Sequence, residues 1–181
     1  SIDVLDAYGI RVCRAQFART EEEACKAAQA VGFPVVMKMT SKTTSHKTDV
    51  GGVRVNIQSV EELKAQYQDL IAKLKAKGIL EGVIIQEMVK GNREMVCGVA
   101  KDPQYGPMIM FGLGGVFVEV LKDVSFSLAP LTDIDAHDLV RSVNAYKLLE
   151  GARGTTPADI AKVEETLQRI SQLVTDFPAI E

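Results

Sequence analysis

The apolar positions of this chain change period several times, and each change predicts an element. Ile2 to Tyr8 has the spacing of a short amphipathic helix, with Gly9 as its stop. Arg11 to Ala18 reads as a strand. Thr20 is an N-cap followed by Glu21, Glu22 and Glu23, acids that the helix dipole favours in a first turn. That helix runs to about Val31 and stops at Gly32. Pro34 opens Val35 to Met39, an apolar run of buried-strand character, and residues 40–49 form a loop rich in Ser and Thr. Gly51-Gly52 leads into a strand, Val53 to Ile57, and Ser59 caps a long helix ending near Gly78.

The second half is richer in strands. Val83 to Met88 is a strand, with a turn at Lys90-Gly91-Asn92. Strands follow at Glu94 to Ala100, Met108 to Phe111 and Phe117 to Leu121, with a fourth at Ser125 to Leu128. Helices are predicted over Asp135 to Tyr146 and over Pro157 to Val174, with Thr156 as the cap of the latter. Phe177 to Glu181 reads as the start of another strand. A chain that opens inside a helix without Met and stops at such a run reads as a fragment of a longer protein. Helices interleaved with neighbouring hairpin strands predict an α+β (mixed α/β) fold.

Composition narrows the classes. The 181 residues are 46% hydrophobic and 25% charged, with a formal net charge of -3. Both signs are spread along the chain, so no basic stripe points to nucleic acid. No apolar stretch is long enough for a membrane span and no signal peptide is evident. Cys13, Cys25 and Cys97 have no paired spacing and read as reduced thiols of a cytoplasmic protein.

Five constellations could carry chemistry. Lys38 stands inside PVVMKM, where burying an ammonium is costly unless an anion meets it. It is either a phosphate ligand or a snorkelling lysine. In SHKTDVGGV, Gly51 and Gly52 let backbone amides approach phosphates, Lys47 adds charge, and His46 offers a nitrogen nucleophile; the plain alternative is a surface loop. Gln86-Glu87-Met88-Val89 ends a strand in a turn. It could offer backbone groups to an adenine edge, with Glu94 reaching ribose hydroxyls, or it is a plain hairpin. FGLGGVFVE fits neither a dinucleotide fingerprint nor a P-loop. Its glycines could still approach a ligand, and Glu119 with Asp123 could reach a cation or a basic side chain. Arg153, flanked by glycines, offers a planar donor fork to phosphate or is a solvated helix end.

The order and spacing of these blocks are more specific than any one of them. YGI, PVVMKM, SHKTDVGGV, IIQEMVKGNREM, FGLGGVFVEVLKD and LLEGARG resemble the ATP-grasp domain of NDP-forming acyl-CoA synthetases, over almost the whole chain. The resemblance implies an ATP-grasp fold with a nucleotide cleft between two α+β subdomains, one at about 20–85 and one at about 86–181. It places Lys38 on phosphates and Gln86 to Val89 at the adenine, with Glu87 and Val89 as the hinge. Glu94 would meet the ribose, and Lys47, Gly51 and Gly52 would form a phosphate-proximal loop. His46 would be the transiently phosphorylated carrier. Arg153 and Glu119 would lie near the phosphates and Mg²⁺, with the main metal ligands on a strand beyond residue 181.

The reaction so implied interconverts acyl-CoA, ADP and phosphate with acid, CoA and ATP, with a separate CoA-binding and ligase part as partner. The fragment alone is expected to be inactive. Two alternatives stand beside it: a regulatory synthetase-like region of a protein lysine acetyltransferase, and another ATP-grasp ligase such as a succinyl-CoA synthetase β-subunit.

Overall fold

The structure is a computed structural model that describes residues 2–40, 51–75, 81–91, 93–115, 121–151 and 155–180. The chain divides into two compact units, Cys13–Lys90 and Ser1–Val12 with Gly91–Glu181.

The first unit is a four-stranded antiparallel sheet with two helices on one face. Its elements are β1 (Ala15–Ala18), α2 (Glu21–Val31), β2 (Val35–Thr40), β3 (Val53–Ile57), α3 (Val60–Lys75) and β4 (Gly82–Glu87), and its strand order is β1-β4-β2-β3. Helix α2 forms as the sequence predicts: the Thr20 hydroxyl accepts from the Glu23 amide, and Gly32 ends it at φ 91°. Its buried residues Ala24, Ala27, Ala28 and Val31 make one stripe at helical spacing. They pack with Leu63, Tyr67 and Leu70 of α3 against Met37, Met39, Val83 and Ile85 of the sheet. In β2 burial alternates strictly, so Val35, Met37 and Met39 enter this core while Val36, Lys38 and Thr40 face the other way.

Strand β3 departs from simple alternation. Val35 pairs with Ile57 and Met37 with Arg54, so β3 carries one extra residue, a bulge, beside Asn56 at φ 58°. One inserted residue reverses the faces beyond it. Ile57 is buried in the core, Val55 is exposed on the far side, and Arg54 is turned to the helix side, where it reaches Asp69 of α3 at 2.7 Å.

The second unit contains α1 (Ile2–Ala7), a three-stranded antiparallel sheet β5-β6-β7 (Met95–Asp102, Gly106–Leu113, Val124–Leu128), and α4 (Asp133–Ser142), α5 (Tyr146–Leu149) and α6 (Ile160–Asp176). Ile109 and Phe111 of β6 are buried against Leu139 and Val140 of α4 and Leu167 and Val174 of α6. The buried Ser171 hydroxyl is satisfied by the Leu131 amide at 2.8 Å.

Four expectations are corrected. Strand β1 is confined to Ala15–Ala18, the stretch that pairs with β4, rather than starting at Arg11. The helix predicted over Asp135 to Tyr146 starts earlier, because Thr132 forms a capping box with Asp135, and it breaks at Val143 before the short α5. Helix α6 starts at Ile160 with Asp159 as its cap, accepting from the Lys162 amide, so Thr156 and Pro157 lie outside it. Phe177 to Ile180 forms a turn closed by the Ile180 amide on the Phe177 carbonyl, not a strand. The strand predicted at Phe117 to Leu121 falls almost wholly on residues outside those described.

Candidate functional site

Lys38 occupies the face of the first sheet that the helices leave open. Its neighbours there follow from the register: Val36 and Thr40 on its own strand, Ile84 and Gln86 on β4, and Val53 paired with it on β3. The ammonium is half-buried and donates to Gln86 Oε1 at 2.9 Å. Among the described residues no carboxylate lies within ion-pair distance of it. A neutral amide orients the cation without cancelling its charge, so the face is apolar with one unneutralised positive group. That arrangement suits a multiply charged anion.

The segment bearing His46 and Lys47 leaves from this same place. The Met39 amide donates to the Gly52 carbonyl at 2.8 Å, and Lys38 pairs with Val53, so residues 40 and 51 bracket an excursion at one end of the sheet. His46 and Lys47 themselves lie outside the described residues, as do Glu119 and Arg153. Gly51 has φ 66°, a left-handed turn that a side chain would strain. Its carbonyl accepts from Arg54 Nη1.

At the end of β4 the groups divide by availability. The Glu87 amide donates to the Arg14 carbonyl and the Met88 amide to the Pro34 carbonyl, at 2.9 and 3.2 Å. The Glu87 carboxylate meets Arg14 Nε at 2.8 Å. Val89 is 64% exposed and makes no backbone hydrogen bond among the described residues. Glu94, in the second unit, is exposed and its carboxylate lies over Gly115, 2.6 Å from where a Cβ would stand.

The glycines at the end of β6 and just after it make close contacts within the protein: a Cβ on Gly114 would stand 2.9 Å from the Met95 backbone. A Cβ on Gly112 would stand 2.3 Å from the Asp123 carbonyl, so this glycine admits the neighbouring chain. The Asp123 carboxylate accepts from the Asn144 and Ala145 amides at 2.9 and 2.7 Å and from Asn144 Nδ2 at 3.0 Å. Burial works to raise its pKa, and these donors together outweigh that and hold it below the usual carboxylate value. Among the described residues no group of three His, Cys, Asp or Glu side chains is placed to hold a metal ion.

Residues 1–181 match the family described as the ATP-grasp domain. The chain is 42% identical over 182 residues to the β subunit of an ADP-forming acetate–CoA ligase I from Pyrococcus furiosus, covering 99% of this chain and 78% of that protein. The chain belongs to the ATP-grasp family of ADP-forming acyl-CoA ligases. Over 182 residues this ATP-grasp domain is also 47% identical to a 4-hydroxybutyrate–CoA ligase [ADP-forming] of Nitrosopumilus maritimus. It covers 99% of this chain but spans only 26% of that relative's length.

Its fold superimposes on dinucleotide forming acetyl-coenzyme A synthetase 1 of Ca. Korarchaeum cryptofilum, solved with coenzyme A and Ca-AMPCP. The TM-score is 0.92 at 42% identity, over 98% of this chain and 79% of that one. Another structure of that synthetase, with coenzyme A and Mg-AMPPCP, is described as having its phosphohistidine segment pointing towards the nucleotide binding site. No helix among the described residues of the ATP-grasp domain is long and apolar enough to cross a membrane.

Three site features escaped the sequence reading. Arg54 and Asp69 are brought together only by the Asn56 bulge, and Asn at a left-handed position inside a strand pattern was the available signal. Asp123 was read with Glu119 towards a cation or a basic side chain, and the reading did not foresee the amides 21 and 22 residues away that donate to it. Gln86 was read only through its backbone, towards an adenine edge, and the reading did not foresee that its side chain accepts from Lys38.

Proposed function

We propose that this domain binds ATP and ADP for an NDP-forming acid–CoA ligase of the cytoplasm and exchanges a phosphoryl group between the nucleotide and His46. The observation that carries this reading is the half-buried Lys38 ammonium, held by a neutral amide on an otherwise apolar face, beside both ends of the segment that bears His46. The triphosphate would lie along Lys38 and the amides of Gly51 and Gly52, with Lys47 and Arg153 adding charge. Val89 would meet the adenine edge through its backbone, with Glu87 and Met88 shaping the turn, and Glu94 would accept from the ribose.

In the ATP-consuming direction a ring nitrogen of neutral His46 attacks the γ-phosphorus, the bond to the β-γ bridging oxygen breaks, and ADP leaves. The reverse step makes ATP from ADP. Lys38 stabilises the charge that builds on the transferring oxygens without reacting itself. Phosphohistidine then delivers its phosphoryl group to a CoA-binding and ligase partner, where acid and CoA become acyl-CoA and the phosphoryl group leaves as inorganic phosphate. Magnesium would supply further charge neutralisation; of this chain's residues Glu119 is the candidate ligand. The phosphohistidine segment named in the Korarchaeum synthetase and the ligase names of both relatives support this reading over a regulatory fusion.

Lys38→Ala tests it by calorimetric titration. ATP affinity is expected to fall about 10–100-fold, the scale of one charge-assisted contact, while adenosine affinity stays within about twofold. Equal loss for both ligands would remove Lys38 from a phosphate site.

A further inference from the structure

Arg54 has no role in the reading above, yet it is built into the fold with unusual care. The Asn56 bulge turns it away from the open face, and its side chain is only 17% exposed against α3. There the guanidinium serves three acceptors at once. Nη1 donates to the Gly51 carbonyl at 2.5 Å and to the Val53 carbonyl at 3.1 Å, and Nη2 donates to Asp69 Oδ2 at 2.7 Å. Asp69 is itself held by Lys73, at 2.8 Å from the other carboxylate oxygen. The hydrogen bonds from Lys73 and then Arg54 keep the Asp69 carboxyl below its usual pKa, so it is ionised at neutral pH. The planar fork donates from two separate nitrogens in a fixed plane, so it spans the carbonyls on one side and the carboxylate on the other, whereas the donors of an ammonium all leave one atom.

The place that is held matters. Gly51 is the left-handed residue at which the chain returns from the His46 segment, and Gly52 is bonded to Met39 one residue beyond Lys38 on β2. We propose that Arg54 is a positioning residue for phosphoryl transfer: through Gly51 and Val53 it anchors the returning end of the His46 segment to α3. This fixes the point from which that segment reaches the nucleotide. The inference rests on His46 being the phosphoryl carrier. The described acceptors of Arg54 are two backbone carbonyls and Asp69, so its action runs through the backbone. Asp69 and Lys73 complete the device by fixing the guanidinium in turn. Misplacing a nucleophile by about 1 Å costs on the order of 100-fold in rate.

The test uses the intact ligase containing this domain, with rapid-quench labelling of protein by γ-phosphoryl-labelled ATP, calorimetric nucleotide affinity and thermal melting measured on each variant. Arg54→Met is expected to slow labelling about 100-fold with ATP affinity within about threefold. Arg54→Lys, which keeps the charge but not the fork, and Asp69→Asn, which loosens the guanidinium, should each slow labelling about 10-fold. If Arg54→Met fails to fold, those two milder variants decide the matter.

Labelling at the unaltered rate in the folded variants would overturn the proposal. So would parallel losses of melting temperature, affinity and labelling, because a scaffold role predicts all three. His46→Ala separates the two levels of inference: label persisting in that variant would overturn the carrier reading itself, whatever Arg54 does.

Discussion

The two sheets make an instructive pair. Each buries one face under helices and leaves the other open, but the open faces differ in charge. On the second sheet, the strand positions opposite the core include Val96, Gly98, Ala100, Met108, Met110, Phe126 and Leu128, and the one ionisable residue among the described positions of that face, Asp102, stands at the strand end, where its carboxylate accepts from the Gln104 and Tyr105 amides. On the first sheet, the equivalent positions include Lys38, with Gln86 as its only described side-chain partner. A fixed ammonium suits phosphate oxygens better than an apolar platform does. This is why the proposed reading puts the anionic half of the nucleotide on the first unit, and that proposal is open to direct attack.

The largest effect is expected from His46→Ala in the intact ligase. Turnover should fall at least about 1,000-fold with ATP affinity nearly unchanged, since a nucleophile contributes to the transition state and little to ground-state binding. Loss of affinity to the same degree would make the histidine a ligand instead.

Next comes the shared feature of the two sheets, their helix-covered faces. Phe111→Ala in the second core and Ile85→Ala in the first should each cost about 2–5 kcal/mol, because both side chains are at most 2% exposed. Chemical denaturation would measure this, and a loss under about 1 kcal/mol at either site would contradict the packing described.

Gln86→Leu probes the contrast more finely. It leaves the ammonium without its described partner while keeping the face apolar. ATP affinity should fall about 10-fold, with no change in melting temperature beyond a few degrees. Met110→Gln on the other sheet should leave ATP affinity within about threefold.

The smaller effects belong to the second unit. Asp123→Ala removes three hydrogen bonds at the start of α5 and should cost about 1–2 kcal/mol by denaturation. Because its folded pKa is lowered, this contribution is present at neutral pH and is lost as pH falls through the folded value.

Cys97 works in the opposite direction. Burial pushes its thiol up to about 12, so the folded protein keeps the proton while the unfolded chain releases it near the ordinary cysteine value. Stability should therefore decline with rising pH between those two values. At pH 8 alkylation of half-buried Cys97 should lag behind that of Cys13, and equal rates measured by mass spectrometry would refute its raised pKa.

Much of the architecture was readable because it rests on local chemistry. Thr20 with its three glutamates, Gly32 and the alternation of PVVMKM each carry their own instruction, and α2, β2 and β4 lie within a residue or two of their predicted bounds. Errors gathered where several signals compete locally. Thr156-Pro157 imitates a helix start, but Asp159 supplies the cap. Arg11 to Ala18 alternates plausibly, but only its last four residues find a partner strand. At the site, Lys38 was legible because an ammonium in an apolar strand conflicts with its surroundings. His46, Lys47, Glu119 and Arg153 stand as proposals drawn from motif and resemblance.

By itself the sequence determined the family, the sheet-and-helix order and the identity of the one charged residue in β2, since motif spacing and hydrophobic period are properties of short stretches. Tertiary structure alone decided which face each side chain serves. A single extra residue beside Asn56 sends Arg54 to Asp69 and Val55 to the open side, and sheet register brings Gln86 to Lys38 across 48 positions of chain. Such pairings depend on where separate strands align, and no local pattern encodes that alignment.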